Sequence, residues 1–247
     1  MENVASVSFG KDSLAMLLML IETGQPLDEV IFYDTGMEFQ AIYDIRDRVK
    51  PLLAAHGIAY KELGPQNTFL YDMLERPVKS KQKGEHNGYG WCGGVCRWAT
   101  KQKQVEIDKY LRGRQIQRHY IGIAADESDR FGTLQEPKCS PLIEANMTEA
   151  DCLRYCAERG FVWDENGVDL YQILDRVSCW CCANKNRKEL KNMYLYLPEY
   201  WARLKWLQSQ IDRPMKRFKN RKYGEYGNVF DMEKVFEEES QCSENTH

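Results

Sequence analysis

Residues 4–17 read VASVSFGKDSLAML. Val4, Ala5, Val7 and Phe9 make a short apolar strand pattern. Leu14, Ala15, Leu17, Leu18 and Ile21 recur at the spacing of a buried helical stripe. Between the two stand Ser8, Gly10, Lys11, Asp12 and Ser13: two hydroxyls, one glycine, one cation and one anion. A strand that turns sharply into a helix leaves backbone N–H groups free, and the helix dipole adds positive potential at the same place. Such a turn suits a phosphate. Gly10 permits close backbone approach, Ser8 and Ser13 can donate to phosphate oxygens, Lys11 can neutralise charge, and Asp12 can hold Mg²⁺ directly or through water. The run is not the longer G-x-x-x-x-G-K-[ST] loop, because it has a single glycine. Taken alone, it equally suits an ordinary polar turn.

The surrounding chain repeats the strand-then-helix theme. EVIFYDTG (29–36) is a continuous apolar run ending in a turn, as expected of a parallel strand buried on both faces. A helix is predicted over 38–56, with Pro51 expected to break or kink it. IAYKELG (58–64) and RHYIGIAADES (118–128) read as further strands. This alternation predicts an α/β fold, a doubly wound and mostly parallel sheet with right-handed crossovers. Ligands of such sheets sit at the C-terminal ends of the strands. The clusters SFGKDS, YDTGMEF and GIAADESDR all follow strands, so they should gather on one edge around one ligand.

Organisation changes along the chain. The basic, Gly-rich stretch 75–100 reads as a loop over the site. From 148 the pattern turns helical, with segments at 148–160 (capped by Thr148), 169–176, 186–196 and 198–212. The expected division is a nucleotide-binding α/β domain over 1–147, with 75–100 as an inserted basic and cysteine-bearing loop, and a helical portion over 148–247. The acidic last 16 residues are expected to fray. The run RPMKRFKNRK (213–222) is a solvated basic face or a grip on a polyanion.

Hydrophobic residues make up 43% of the 247 and charged residues 29%, which excludes a disordered chain. The net charge of −3 gives no bulk reason to expect nucleic acid. Neither a signal peptide nor a membrane-crossing apolar run is evident, so a cytoplasmic location without a membrane partner is expected. Nine cysteines in that compartment point to metal or redox chemistry rather than disulfides. Cys152 and Cys156 fit buried apolar positions on a helix. Cys92 and Cys96 stand as C-x₃-C beside Gly93 and Gly94, and Cys179 and Cys182 as C-x₂-C. Two tight pairs can converge on one metal, and both Zn²⁺ and a [4Fe–4S] cluster accept four thiolates. Cys181 is a spare thiol beside the late pair, and Cys139 is an alternative ligand to Cys92 or Cys96.

SFGKDSLAML followed by FYDTGMEFQAIYDIRDRV resembles the PP-loop ATP pyrophosphatases. More narrowly, it is similar to the superfamily of phosphoadenosine-phosphosulfate reductases, ATP sulfurylase small subunits and DNA-phosphorothioation sulfur-transfer ATPases. IGIAADESDR, CSPLIEANMTEADCLRYCAERGF and LYQILDRVSCWCC resemble later motifs of that superfamily in the same order, over residues 4–185. The resemblance implies an adenine nucleotide alpha hydrolase-like, Rossmann-like fold. It implies a catalytic Lys11, Asp12 and Ser13, and a nucleotide held by Ser8, Phe9, Gly10, Lys11, Asp12 and Ser13. Asp34, Thr35 and Gly36 would flank the nucleotide, and Glu127, Ser128 and Arg130 would face it from the far strand. Arg97 and Lys103 resemble a basic element holding the nucleotide or second substrate, although Ala99 replaces a cysteine often found there.

The implied activity is attack on the α-phosphate of ATP with Mg²⁺ and release of pyrophosphate, in sulfur-related chemistry. The resemblance favours a [4Fe–4S] cluster on Cys92, Cys96, Cys179 and Cys182, with structural Zn²⁺ as the alternative. A sulfonucleotide reductase is the alternative activity. Lys11 disfavours it, because a β,γ-diphosphate needs a cation and an adenylylsulfate has no such group. The tail SQCSENTH also lacks the reductases' Glu-Cys-Gly-x-His motif around Cys242. A nucleotide- or nucleic-acid-binding module without turnover is a third reading. The second substrate, small molecule or nucleic acid, stays open, as does the oligomeric state, a homodimer included.

Overall fold

A computed structural model describes residues 1–81 and 84–244. In chain order its elements are β1 (Glu2–Ser6), α1 (Lys11–Glu22), β2 (Glu29–Tyr33), α2 (Gln40–Ala55), β3 (Ala59–Leu63), β4 (Pro77–Ser80), β5 (Gly84–Asn87), α3 (Gln102–Leu111), β6 (Ile116–Ile121), β7 (Lys138–Cys139), α4 (Pro141–Glu144) and α5 (Glu149–Glu158). The chain continues through β8 (Asp164–Glu165), β9 (Val168–Asp169), α6 (Leu170–Ile173), α7 (Arg187–Tyr196), α8 (Pro198–Ser209), β10 (Phe218–Asn220), β11 (Gly224–Tyr226) and α9 (Val229–Glu244). Two compact units result: Met1–Pro65 with Gln102–Asp169, and Gln66–Lys101 with the described residues from Leu170 on. Where the sequence suggests a boundary after residue 147, α5 packs along α1 inside the first unit.

The first unit is built on a five-stranded, all-parallel sheet in the order β3-β2-β1-β6-β7. It has the α/β architecture that the alternating pattern predicts. Val4, Ala5, Val30, Ile31 and Phe32 are at most 1% exposed, as central parallel strands covered on both faces require. Ile107 of α3 closes one face over Val4, Ile31 and Tyr33. The chain winds outward from β1 to β3, then crosses back to place β6 on the other side of β1. The reversal therefore lies between β1 and β6, where an open α/β sheet forms its ligand crevice.

One local expectation fails in this unit, and so does the break, as distinct from a kink, expected at Pro51. β1 ends at Ser6, and Phe9 is fully buried with φ 57°, so it turns the chain instead of extending the strand. α2 does not break at Pro51: the helix runs on to Ala55, with Val49 and Leu53 buried on either side of the proline. One lost N–H bond to Asp47 is outweighed by that packing.

In the second unit, β4 and β5 form an antiparallel hairpin where the sequence suggested a loop. Gly88 makes it close: its N–H donates to Arg76 O at 2.7 Å, and a Cβ there would lie 2.2 Å from Met73 O. Residues 82–83 of this basic stretch, and the side chain of Cys242, lie outside the described residues. The segment expected to fray is instead the body of α9, whose Met232 and Phe236 are fully buried. Phe236 packs against Trp201 of α8 at 5.9 Å between ring centroids. The run 213–222 supplies β10 and the turn into β11. Among the described residues, no helix is long and apolar enough to cross a membrane.

Candidate functional site

The loop between β1 and α1 is held in a strained form. Phe9 occupies the left-handed region, which a bulky residue adopts only where its surroundings enforce it. Two contacts and complete burial enforce it. Its ring meets Phe32 edge-on at 5.1 Å, its carbonyl accepts the Trp163 indole N–H at 2.7 Å, and no part of the residue reaches solvent. Ser13 ties the loop internally: its Oγ accepts the Ser8 N–H at 3.1 Å, stands 3.0 Å from Ser8 Oγ and donates to Gly10 O at 3.1 Å. No side chain caps α1, so its first-turn amides meet no competing side-chain acceptor from a cap residue. Gly122, just beyond β6, lets this turn approach closely; a Cβ there would stand 2.6 Å from Ser13 Cα.

Lys11 is only 7% exposed. Its ammonium donates to both Asp12 carboxylate oxygens, at 2.8 and 3.0 Å, and to Glu149 Oε2 at 2.6 Å. Burial works against that charge, but Asp12 and Glu149 outweigh it and hold the Lys11 pKa above its ordinary value. Burial raises the Asp12 pKa; Lys11 offsets part of this, while Glu149 and Glu127 add to it. Glu149 opens α5, and its own N–H donates to Asp126 Oδ1 at 2.9 Å. The α1–α5 pair is parallel: Lys11 meets Glu149 at one end, and Glu22 meets Tyr155 and Arg159 at the other. Two helix N-termini therefore converge beside the loop. Below them Cys152 and Cys156 are fully buried, and the Cys156 thiol donates to Lys11 O at 3.4 Å. Burial pushes the Cys156 pKa up to about 12 and that of Cys152 higher still.

Apart from Lys103, the other candidate nucleotide-binding residues of the first unit also lie past the C-terminal ends of its strands. Asp34 follows β2, where its Oδ1 accepts the Gly36 N–H at 2.7 Å and the Tyr43 hydroxyl at 2.8 Å. Gly36 has φ 73°, and Thr35 donates to Glu38 at 2.8 Å. Glu127 and Arg130 follow β6 and pair at 2.8 Å, while the Glu127 carboxylate also accepts the Ala124 N–H. Ser128 is exposed. Lys103 is half-buried on α3. Arg97 belongs to the second unit, its guanidinium 5.2 Å from the Tyr89 ring centroid.

A family model, the phosphoadenosine phosphosulfate reductase domain, matches residues 2–135. The chain belongs to this family. Its members bind adenine nucleotides and are typically enzymes. An uncharacterised protein of Methanocaldococcus jannaschii, MJ0066, is 23% identical over 212 residues, covering 82% of this chain and 40% of its own length. The chain thus spans well under half of that relative.

In this phosphoadenosine phosphosulfate reductase domain protein, the two cysteine pairs share the second unit. Asn184 clasps their loops together: its Oδ1 accepts the Gly94 N–H at 2.7 Å, and its Nδ2 donates to Gly94 O at 2.8 Å. Among the described residues, no three His, Cys, Asp or Glu side chains stand close enough to hold one metal ion. Two polar features beside the loops bear on what they could hold. The Trp91 indole N–H, next to Cys92, is buried without a partner. Lys185, 2% exposed, donates to Ser178 Oγ at 3.2 Å and lies within electrostatic reach of Cys182, Cys179 and Cys181. Cys139 sits on β7 in the first unit.

Glu149, Asp126, Trp163 and Asn184 were not legible in the sequence because their partners lie far along the chain, and Lys185 because only its burial sets it apart from other lysines. Gly122 did carry a signal: an isolated glycine inside an apolar strand pattern marks a close backbone approach.

Proposed function

We propose that this chain binds ATP with its triphosphate on the Ser8–Ser13 loop and promotes attack of an acceptor oxygen on the α-phosphate. The new bond joins the acceptor oxygen to the α-phosphorus. The bond to the α,β-bridging oxygen breaks, and pyrophosphate leaves with that oxygen. The uncapped start of α1, with Lys11 at its first position, carries this reading: cation, amides and helix dipole converge where a diphosphate would develop charge. Ser8 and Ser13 donate to phosphate oxygens, and Lys11 neutralises the departing group. Mg²⁺ held at Asp12 would share that charge. Asp34, Thr35, Gly36, Glu127, Ser128 and Arg130 border the nucleotide, and Lys103 serves it or the second substrate.

The reductase alternative needs a thiolate nucleophile, and Cys152 and Cys156 beneath the loop are buried and held protonated. Cys92, Cys96, Cys179 and Cys182 offer four sulfur donors on two clasped loops, with a buried indole N–H and the buried Lys185 amine beside them, and these thiols would have to draw together to share one group. That chemistry suits an anionic, thiolate-ligated group, a [4Fe–4S] cluster in preference to Zn²⁺. When bound, such a cluster supplies one-electron chemistry. The test is anaerobic purification with iron, sulfide and zinc analysis, alongside pyrophosphate release from ATP in the same sample. Release of pyrophosphate supports the reading; sulfite release from an adenylylsulfate, without pyrophosphate release, overturns it.

A further inference from the structure

The ion pair between the loop lysine and the start of α5 bears on how two ligands of the loop affect one another. Lys11 and Asp12 are neighbours on the first turn of α1, while Glu149 arrives from 138 residues away. At 2.6 Å, the Lys11–Glu149 contact is shorter than the 2.8 and 3.0 Å contacts that join this ammonium to Asp12. The Glu149 backbone is itself anchored to Asp126, and Glu127 lies within electrostatic reach of Asp12. Among the described residues, Asp12, Glu149, Asp126 and Glu127 thus bring carboxylates to the place where the loop would receive a polyanion, and the nearby Arg130 is paired with Glu127. An incoming triphosphate must draw Lys11 away from two of these carboxylates and then lie beside them. In a partly buried setting, a like charge within one or two contact distances costs enough to shift binding by about tenfold or more.

We infer that Glu149 is a positioning residue that holds Lys11 in the ligand-free chain and makes nucleotide binding conditional on a divalent cation. This rests on the ATP reading above. The cation lets Asp12 and Glu149 release Lys11 to the phosphates without facing them bare. Glu149 therefore couples the two ligands: each favours the other through the same carboxylate.

The experiment uses the whole chain and α,β-methylene-ATP, which resists cleavage at the proposed site. Calorimetry gives its Kd with MgCl₂ and with EDTA, for the wild type and for Glu149→Gln. The wild type should bind at least tenfold more tightly with Mg²⁺. Glu149→Gln keeps an oxygen to accept from Lys11 but removes one negative charge, so its Mg²⁺-to-EDTA ratio should shrink about tenfold, mainly through tighter binding in EDTA. Glu149→Asp, which keeps the charge, should restore most of the ratio. A merely structural defect would weaken both affinities and leave their ratio unchanged. Equal wild-type affinity in the two buffers, or an unchanged ratio in Glu149→Gln, overturns the role of Glu149 while leaving the nucleotide site intact. Equal wild-type affinity refutes the role of Glu149 even where a variant fails to fold, and Glu149→Asp carries the support where Glu149→Gln does not fold. No binding by the wild type in either buffer overturns the ATP reading itself.

Discussion

Replacing Gly122 by alanine would place a methyl carbon 2.6 Å from Ser13 Cα, 2.8 Å from Ser13 N and 3.0 Å from Asp12 C. All three are backbone atoms at the start of α1, so no side chain can rotate to make room. Ordinary carbon contacts begin near 3.5 Å, so the loop and β6 must separate by roughly 1 Å. Overpacking of this kind costs about 1–3 kcal/mol in stability. It also moves the amides and Lys11 that would receive phosphate, and a 1 Å displacement in such a site costs about 100-fold in turnover. Thermal and urea melts, with pyrophosphate release from ATP measured on the same preparations, report both effects. Gly132→Ala is the control, because a Cβ there meets nothing within 4 Å. If Gly122→Ala melts and turns over like the control, the close approach of β6 does not shape the loop and the reasoning fails.

Trp163→Phe deletes the N–H that holds Phe9 O at 2.7 Å in a fully buried setting. A loss of about 1–3 kcal/mol in urea unfolding is expected, together with weaker nucleotide binding as Phe9 relaxes from its left-handed conformation. His119, 4% exposed and 2.7 Å from Ser6 Oγ, has its pKa pushed down to about 4, first by burial and then by Lys138. The unfolded chain therefore takes up a proton near pH 6.5 that the folded chain refuses. Stability should be intact above pH 6.5 and fall by about 3 kcal/mol as the pH drops to 4. Urea melts across that range should show the slope, and His119→Gln should flatten it. Asn184→Ala removes both hydrogen bonds to Gly94. Iron or zinc per chain after anaerobic purification should fall, with the α7–α9 helices intact by circular dichroism; unchanged metal content would count against the clasp.

The parts of this molecule that were legible in the sequence are those whose signal is local. The strand–turn–helix at 4–17, the buried run 29–33 and the capping Thr148 each declare themselves within a few residues, and the parallel sheet follows from their alternation. Phe9 misled because its place in the Val7–Phe9 alternation matches a strand; only the packing of Phe32 and Trp163 reveals the turn. Segment 75–100 looked like a loop because its strands are short and polar, and the hairpin depends on Gly84 and Gly88. The acidic composition of the tail hid the Met232–Phe236 stripe that buries α9 against its own unit. The Lys11–Glu149 pair was out of reach for a simpler reason: nothing in either segment names the other, and only the parallel docking of α5 on α1 brings them together.

The central claim is that the Ser8–Ser13 loop grips the phosphates of an adenine nucleotide. The most direct measurement is the Kd of α,β-methylene-ATP, with Mg²⁺, for the wild type and a Lys11→Ala/Ser13→Ala double variant whose fold is checked by circular dichroism. Loss of a charge-assisted contact and of the hydroxyl that organises the loop should weaken binding about 100-fold. Undiminished affinity in the folded double variant would contradict the account.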